Sequence, residues 1–316
     1  MTAAPLAPTV TESLERAART LSAHGESPRL DAELLLCHVT GWSRSALIVR
    51  GAETPAPAAL AAFEALIARR ARGAPVAYLT GSREFWSLPL RVTPDVLVPR
   101  PETELLVERA LALLPENQPR SLLDLGTGSG AIALALASER PRARITAVDV
   151  SAAALCVARH NGGTLGLERI EWRLGSWFAA VPGEKYDLIV ANPPYVAAGD
   201  AALARLHAEP LLALTPGPSG LEALRAIIEG AAAHLHPEGW LLLEHGCDQA
   251  DAVAELLAAR GFTRIGTHAD AAARPRVTMG AAPTSTSTTT PTLPAAPRNA
   301  PGIFHDPHHS SHQEHP

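Results

Sequence analysis

Apolar positions along residues 10–72 recur with the period of a helix. Leu14, Ala17, Ala18 and Leu21 form an i, i+3, i+4, i+7 stripe over residues 11–21. A second helix is expected over 28–38, around Leu30, Leu34, Leu35, Leu36 and Cys37. A third, over 57–72, carries Leu60, Phe63, Leu66 and Ile67 and is stopped by Gly73 and Pro75. The pattern then changes. Residues 85–92 read as extended, and Pro89, Pro94, Pro99 and Pro101 forbid a helix through them, so a short hairpin and connector is expected over 81–100. A helix opens at residues 100–104 and runs to about Leu114.

Beyond Ser121, short apolar strands alternate with helices. Strands are expected at 122–125, 144–150, 170–174, 186–191, 240–244, 262–267 and 276–279, and helices at 131–139, 152–161, 221–235 and 251–260. Such alternation makes an α/β fold, a mostly parallel sheet with helices on both faces. Four segments follow from this reading: a helical domain (1–80), a connector (81–100), an α/β domain (101–280) and a tail (281–316). The tail is rich in Thr, Ser, Pro and Ala and ends with His305, His308, His309, His312 and His315. It has too few apolar residues to offset the entropy of ordering, so it is expected to be disordered, its histidines solvated.

Composition and charge narrow the function classes. Hydrophobic residues make up 47% of the 316 positions and charged ones 19%, which suits a globular chain with a real core. No apolar run approaches the ~20 residues of a membrane helix, and residues 1–10 lack the basic-then-apolar pattern of a secretion signal. Cys37, Cys156 and Cys247 are dispersed without a Cys-x-x-Cys pair. That argues against a disulfide framework or zinc site and fits a reducing, cytoplasmic setting; no metal site is expected. The net charge is −5, and residues 1–80 hold eight Arg against seven Asp and Glu. A broad nucleic-acid surface is not favoured.

The candidate chemistry lies at strand carboxyl ends. Asp124-Leu125-Gly126-Thr127-Gly128-Ser129-Gly130 joins a buried strand to a helix, where an open α/β sheet binds a nucleotide-like ligand. Glycines there let the backbone turn sharply and a ligand approach closely. The spacing satisfies a dinucleotide loop through Gly126, Gly128 and Ala131, and a methyl-donor loop through Gly126, Gly128 and Gly130. Asp149 ends the next strand, 23 residues after Gly126, where a carboxylate can accept both ribose hydroxyls of either ligand. Asn192-Pro193-Pro194-Tyr195 follows the apolar strand Leu188-Ile189-Val190, beside the same crevice. The Asn192 side-chain oxygen and the Pro193 carbonyl can together accept both hydrogens of a planar –NH₂ group, and Tyr195 can cover its face. Hydride transfer has no use for such a loop; methylation of a planar nitrogen does.

At these residues the chain resembles the class I amino-methyltransferases. Pro75-Val76-Ala77-Tyr78-Leu79-Thr80-Gly81, Arg83-Glu84-Phe85-Trp86, Leu97-Val98-Pro99-Arg100-Pro101-Glu102-Thr103-Glu104 and Arg276-Val277 make it similar to the HemK/PrmC-like peptide chain release factor glutamine methyltransferases. The resemblance runs from about residue 10 to 280. It implies a class I fold with a Rossmann-like seven-stranded sheet, its last strand antiparallel, behind a small N-terminal helical domain; that domain, too small and too neutral to grip a phosphate backbone, is expected to dock substrate. It also implies S-adenosylmethionine as methyl donor and, as substrate, the glutamine of the Gly-Gly-Gln motif in class 1 release factors. Carried across, Asp124, Gly126, Thr127, Gly128, Ser129, Gly130, Asp149, Trp177 and Asn192 would hold the cofactor. Asn192, Pro193, Pro194 and Tyr195 would hold the reacting amide. Residues 100–104 line the crevice on one reading and merely start a helix on the other. Ser219-Gly220-Leu221 departs from the family's usual Asp-Gly-Leu. A monomer without a stable nucleic-acid partner is expected. The rival readings are an adenine-N(6) methyltransferase of DNA or RNA using the same loop on a flipped base, and a cofactor-binding protein without catalysis.

Overall fold

Thr9 starts the first helix because its hydroxyl accepts the Glu12 N–H while the Glu12 carboxylate accepts the Thr9 N–H, a reciprocal capping box. The structure, a computed structural model, describes residues 7–23 and 27–283. Helix α1 (Val10–Leu21) is followed by α2 (Pro28–Thr40), which Pro28 opens and Gly41 closes at φ 71°. Then come α3 (Arg44–Val49), α4 (Pro57–Ala71) and α5 (Val76–Thr80). The three long helices match the expected ones; α3 and α5 are too short to show a period. Leu14, Leu21, Leu35, Leu36, Phe63 and Leu79 form their common core.

Strands β1 (Ser82–Phe85) and β2 (Leu88–Arg91) make the expected hairpin, paired antiparallel. Its turn residues, Trp86 and Ser87, both take positive φ without being glycine, a conformation that tertiary bonds must stabilise. They do: the Trp86 N–H donates to Glu104 and its indole N–H to Glu139, each at 2.8 Å. A 3-10 turn at Pro101–Thr103 then leads into α6 (Glu104–Leu113).

The α/β portion runs β3 (Ser121–Leu125), α7 (Ala131–Glu139), β4 (Arg144–Asp149), α8 (Ala152–Thr164), β5 (Glu171–Leu174), β6 (Tyr186–Ala191), α9 (Ala202–Arg205), α10 (Glu222–Ala231), β7 (Leu235–Glu244), α11 (Ala250–Ala259), β8 (Thr263–Ala269) and β9 (Pro275–Ala281). The seven strands lie in the order β5-β4-β3-β6-β7-β9-β8. Strands β3 to β7 are parallel neighbours, and β9 is antiparallel to both β7 and β8. Side chains alternate between faces: Leu122, Val190 and Leu242 pack with α6 and α7, whereas Leu123, Ile189 and Leu241 pack with α10 and α11. The chain leaves β3 toward β4 and β5 on one side and reaches β6 and β7 on the other. That topological switch opens a crevice at the strand carboxyl ends.

One boundary needs correction. Disorder was expected from residue 281, yet Ala281 pairs with both Trp240 and Thr263, and the Ala282 N–H donates to the Gly239 carbonyl at 2.7 Å. Small apolar residues resemble a linker in composition but fill a tight space at a sheet end. Residues 284–316, including the five histidines, lie outside the described residues. No helix among the described residues is long and apolar enough to cross a membrane.

Strand β9 fills the gap between β7 and β8, so truncation after Arg274 should abolish the cooperative melting transition. Truncation after Pro283 should preserve it, and scanning calorimetry of the two shortened chains checks both outcomes.

Candidate active site

The loop after β3 turns through three left-handed glycines: Gly126, Gly128 and Gly130 have φ of 75°, 56° and 84°. A side chain at any of them would be strained, which is why glycine recurs at alternate positions. The Gly126 and Thr127 N–H groups both donate to the Val148 carbonyl, at 2.8 and 3.0 Å, so the loop is tied to the end of β4. The Gly128 N–H reaches the Asp149 carboxylate at 2.8 Å.

Asp149 also accepts the Ser151 N–H at 2.9 Å, while the Ser151 hydroxyl caps α8 by accepting the Ala154 N–H. Capping therefore falls to Ser151, and Asp149 faces the cavity. Two of its roughly four acceptor positions are used, which leaves two for a vicinal diol. Burial raises the Asp149 pKa, opposed by the N–H bonds from Ser151 and Gly128.

A cavity of about 330 Å³ runs along the strand ends between Gly126, Gly128, Asp149, Trp177 and Asn192. Its size is at the lower end for small-molecule sites. Trp177 begins the 3-10 turn Trp177–Ala180 at φ 44°, and a Cβ on Gly126 would sit 3.4 Å from its ring. Glycine at 126 thus leaves the indole face free to line the cavity. A smaller adjoining cavity of about 70 Å³ is lined by Leu97, Arg100, Pro193, Tyr195 and Val196, and Asn192 borders both.

Asn192 leaves β6 with its Nδ2 donating to the Thr103 hydroxyl at 3.1 Å. Its Oδ1 takes no hydrogen bond from any described residue. The loop beyond it is braced from behind. Gln249 donates to the carbonyls of Tyr195 and Gly220, at 3.0 and 3.3 Å. Gly220 has φ 75°, and a Cβ there would lie 2.5 Å from the Tyr195 oxygen. Ser219 holds this turn by accepting the Leu221 N–H at 3.2 Å, a bond an aspartate side chain makes equally well. The departure from the family pattern is therefore structurally conservative.

Two expected cofactor residues stand behind the cavity rather than in it. Asp124 is fully buried, its Oδ2 accepting the Thr127 hydroxyl at 2.6 Å and its Oδ1 without a partner. Gly130 packs against Trp172 and Leu134. Both shape the loop; neither lines the cavity. Sequence reasoning missed Thr103 as a contact of Asn192, Glu244 at the end of β7, and Gln249. Only Glu244 carried a signal: a carboxylate closing the apolar run Leu241-Leu242-Leu243. Residues 100–104 divide, with Arg100 and Thr103 on the cavity and Glu102 paired with Arg274. Arg100 is also paired with buried Glu209, which accepts the Val98 N–H at 3.1 Å.

A seven-stranded sheet of this order, with a cavity and the Asn192–Tyr195 loop meeting at its strand ends, is the fold of the class I S-adenosylmethionine-dependent methyltransferases. Residues 12–81 match the PrmC N-terminal domain family and residues 102–246 the Methyltransferase small domain family. A 16S rRNA methyltransferase of T. thermophilus, solved with AdoMet and guanosine, shares the fold: TM-score 0.50, 23% identity, 64% of this chain and 49% of that chain covered. The release factor glutamine methyltransferase of Xylella fastidiosa (strain Temecula1) is 50% identical over 257 residues, covering 81% of this chain and 94% of that protein. The enzyme of the same name from Escherichia coli (strain K12) is 46% identical over 257 residues, covering 81% and 92%. The chain belongs to the release factor glutamine methyltransferase family.

Two predictions follow from the geometry. Burial holds Asp124 and Glu244 at pKa values of about 7, against 3.8 and 4.5 ordinarily. Between pH 4 and 7 the folded chain therefore binds more protons than the unfolded one. The stabilisation is complete below about pH 4 and is lost as pH rises through about 7. Urea titrations should show Asp124→Asn and Glu244→Gln flattening that decline; an unchanged slope contradicts the burial argument. Gly220→Ala should displace the Tyr195 carbonyl, costing about 1–2 kcal/mol from positive φ alone. Calorimetry should show a lowered melting temperature, and turnover should fall with it.

Proposed function

We propose that this protein transfers a methyl group from S-adenosylmethionine to the side-chain amide nitrogen of the glutamine in the Gly-Gly-Gln motif of class 1 peptide chain release factors. The single observation that carries the reading is that Asn192, whose Oδ1 takes no hydrogen bond from any described residue, borders both cavities, with Pro193 lining the smaller one. The donor fits the larger cavity by its chemistry. Asp149 keeps two acceptor positions for ribose hydroxyls, Trp177 offers a flat face for adenine, and the glycines at 126 and 128 leave the loop backbone open to the ligand. When bound, S-adenosylmethionine supplies an electrophilic methyl group.

An amide nitrogen is a poor nucleophile because its lone pair is delocalised into the carbonyl. Asn192 Oδ1 and the Pro193 carbonyl can accept one amide hydrogen each, which turns nitrogen rather than oxygen toward the larger cavity. The same two acceptors stabilise the positive charge that grows on nitrogen as the N–C bond forms. Pro193 and Pro194 stiffen the loop so that these oxygens need not reorganise. One amide proton is released to solvent, without a strong base at the nitrogen among the described residues.

The helical region at residues 10–80 is nearly neutral and carries exposed Ile48 and Val49 on α3, which supports docking of a protein rather than a phosphate backbone. A monomer acting on a release factor in the cytoplasm fits these features. Nothing in the site favours an adenine substrate.

Labelled S-adenosylmethionine incubated with an intact release factor should place one methyl on the motif glutamine, as read by mass spectrometry, and a short Gly-Gly-Gln peptide should react far more slowly. Transfer to DNA or RNA adenine, with none to release factor, would overturn the reading. Asn192→Ala should nearly abolish turnover; activity within about threefold of the parent would remove the amide-acceptor role. Asp149→Ala should weaken S-adenosylmethionine by about tenfold to a hundredfold, the worth of a charge-assisted hydrogen bond, in a calorimetric titration.

A further inference from the structure

We propose that Thr103 and Glu244 form a positioning pair that fixes the Asn192 side-chain amide with its Oδ1 toward the substrate and its Nδ2 toward the protein. The inference rests on the reading of Asn192 as the amide acceptor and adds the groups that orient it. Asn192 and Glu244 leave adjacent parallel strands at the same level, because Ala191 of β6 pairs with Leu243 of β7. Thr103 approaches from the turn before α6 and accepts the Nδ2 hydrogen at 3.1 Å. Thr103 and Glu244 are both buried, and Glu244 Oε2 has no hydrogen-bond partner.

Orientation matters because an asparagine amide presents a donor and an acceptor that are nearly identical in shape. With Oδ1 outward the side chain can accept an amide N–H of the substrate. Rotated by half a turn, it would present –NH₂ to –NH₂ and bind nothing. The immediate surroundings decide between the two. Thr103 Oγ1, once it accepts from Asn192, has its own hydrogen to place, and the Glu244 carboxyl is the acceptor beside it. In either charge state the carboxyl keeps an oxygen that only accepts, so the hydrogens can run one way, from Asn192 to Thr103 to Glu244. The rotated amide would take the Thr103 hydrogen on its Oδ1 and leave the buried Glu244 carboxyl without that donor.

The groups around Glu244 come from several elements. Thr103 and Asn192 lower its pKa, as does Arg276 on β9, while Glu102 in the 3-10 turn raises it and burial raises it most. Tyr195, on the acceptor loop, is in turn pushed upward by burial and by Glu244. The open valence of Glu244 Oε2 thus sits in the surroundings of the residue whose amide must not rotate.

The test compares Thr103→Val, Thr103→Ser, Glu244→Gln and the Val/Gln double variant in full-length protein. Turnover of an intact release factor is measured alongside S-adenosylmethionine affinity by calorimetry. Thr103→Val and Glu244→Gln should each lower kcat by about tenfold, the worth of an orienting hydrogen bond, while KM for release factor and cofactor affinity stay within about threefold. Thr103→Ser, which keeps the hydroxyl, should recover most of the loss. The double variant should be no slower than the slower single one, because the two residues act as a unit. Equal turnover in Thr103→Val and Thr103→Ser, or losses that multiply in the double variant, would overturn the pair. If Glu244→Gln does not fold, the comparison of valine with serine at 103 decides alone. An active Asn192→Ala enzyme would instead remove the acceptor reading itself, so the two failures are distinguishable.

Discussion

The register between β3 and its two parallel neighbours governs everything at the site. Leu125 pairs with Val148 on one side and Ala191 on the other, so Gly126, Asp149 and Asn192 leave the sheet at one level. Parallel strands with apolar side chains on both faces hold that register firmly, because a one-residue slip would exchange the two faces of every strand. Leu123, Ile189 and Leu241 would then face the helices that Leu122, Val190 and Leu242 now face. The cofactor cavity and the acceptor loop meet because three strand ends are level.

The loops are fixed by bonds that do not touch the cavity. Asn161, buried in α8, accepts the Arg91 N–H and donates to the carbonyls of Arg91 and Ser129, tying the hairpin to the glycine loop. On the opposite side Gln249 ties the acceptor loop to the turn at Gly220. Catalysis by positioning requires this kind of support, since a reactive nitrogen held loosely gains little over solution. The half-buried polar side chains of the site thus divide between those that face ligand and those that keep the facing groups still.

Much of this was legible in the residues. Helix α7 and strand β6 begin and end where hydrophobic pattern places them, since each is built on an apolar run, residues 131–137 and 188–191. The loop glycines announced left-handed turns, and Asn192-Pro193-Pro194-Tyr195 announced a loop at the carboxyl end of β6, where it borders the cavities. What stayed hidden depends on tertiary neighbours. The positive-φ turn at Trp86-Ser87 has no glycine or asparagine to signal it and exists because Glu104 and Glu139 are there to hold it. Asp124 read as a ligand contact because it opens the motif, but alternation on β3 turns it inward. Thr103 and Gln249 lie 89 and 57 residues from Asn192 in the chain, and spacing alone cannot bring them together.

The central claim is that Asn192 and Pro193 hold the reacting nitrogen by both of its hydrogens. A crystal structure of this enzyme with S-adenosylhomocysteine and a release factor tests it directly. The account predicts the glutamine Nε2 at about 2.9 Å from both Asn192 Oδ1 and the Pro193 carbonyl, at hydrogen-bond distance. A glutamine whose Oε1 faces Asn192, or whose nitrogen lies away from both oxygens, would contradict it.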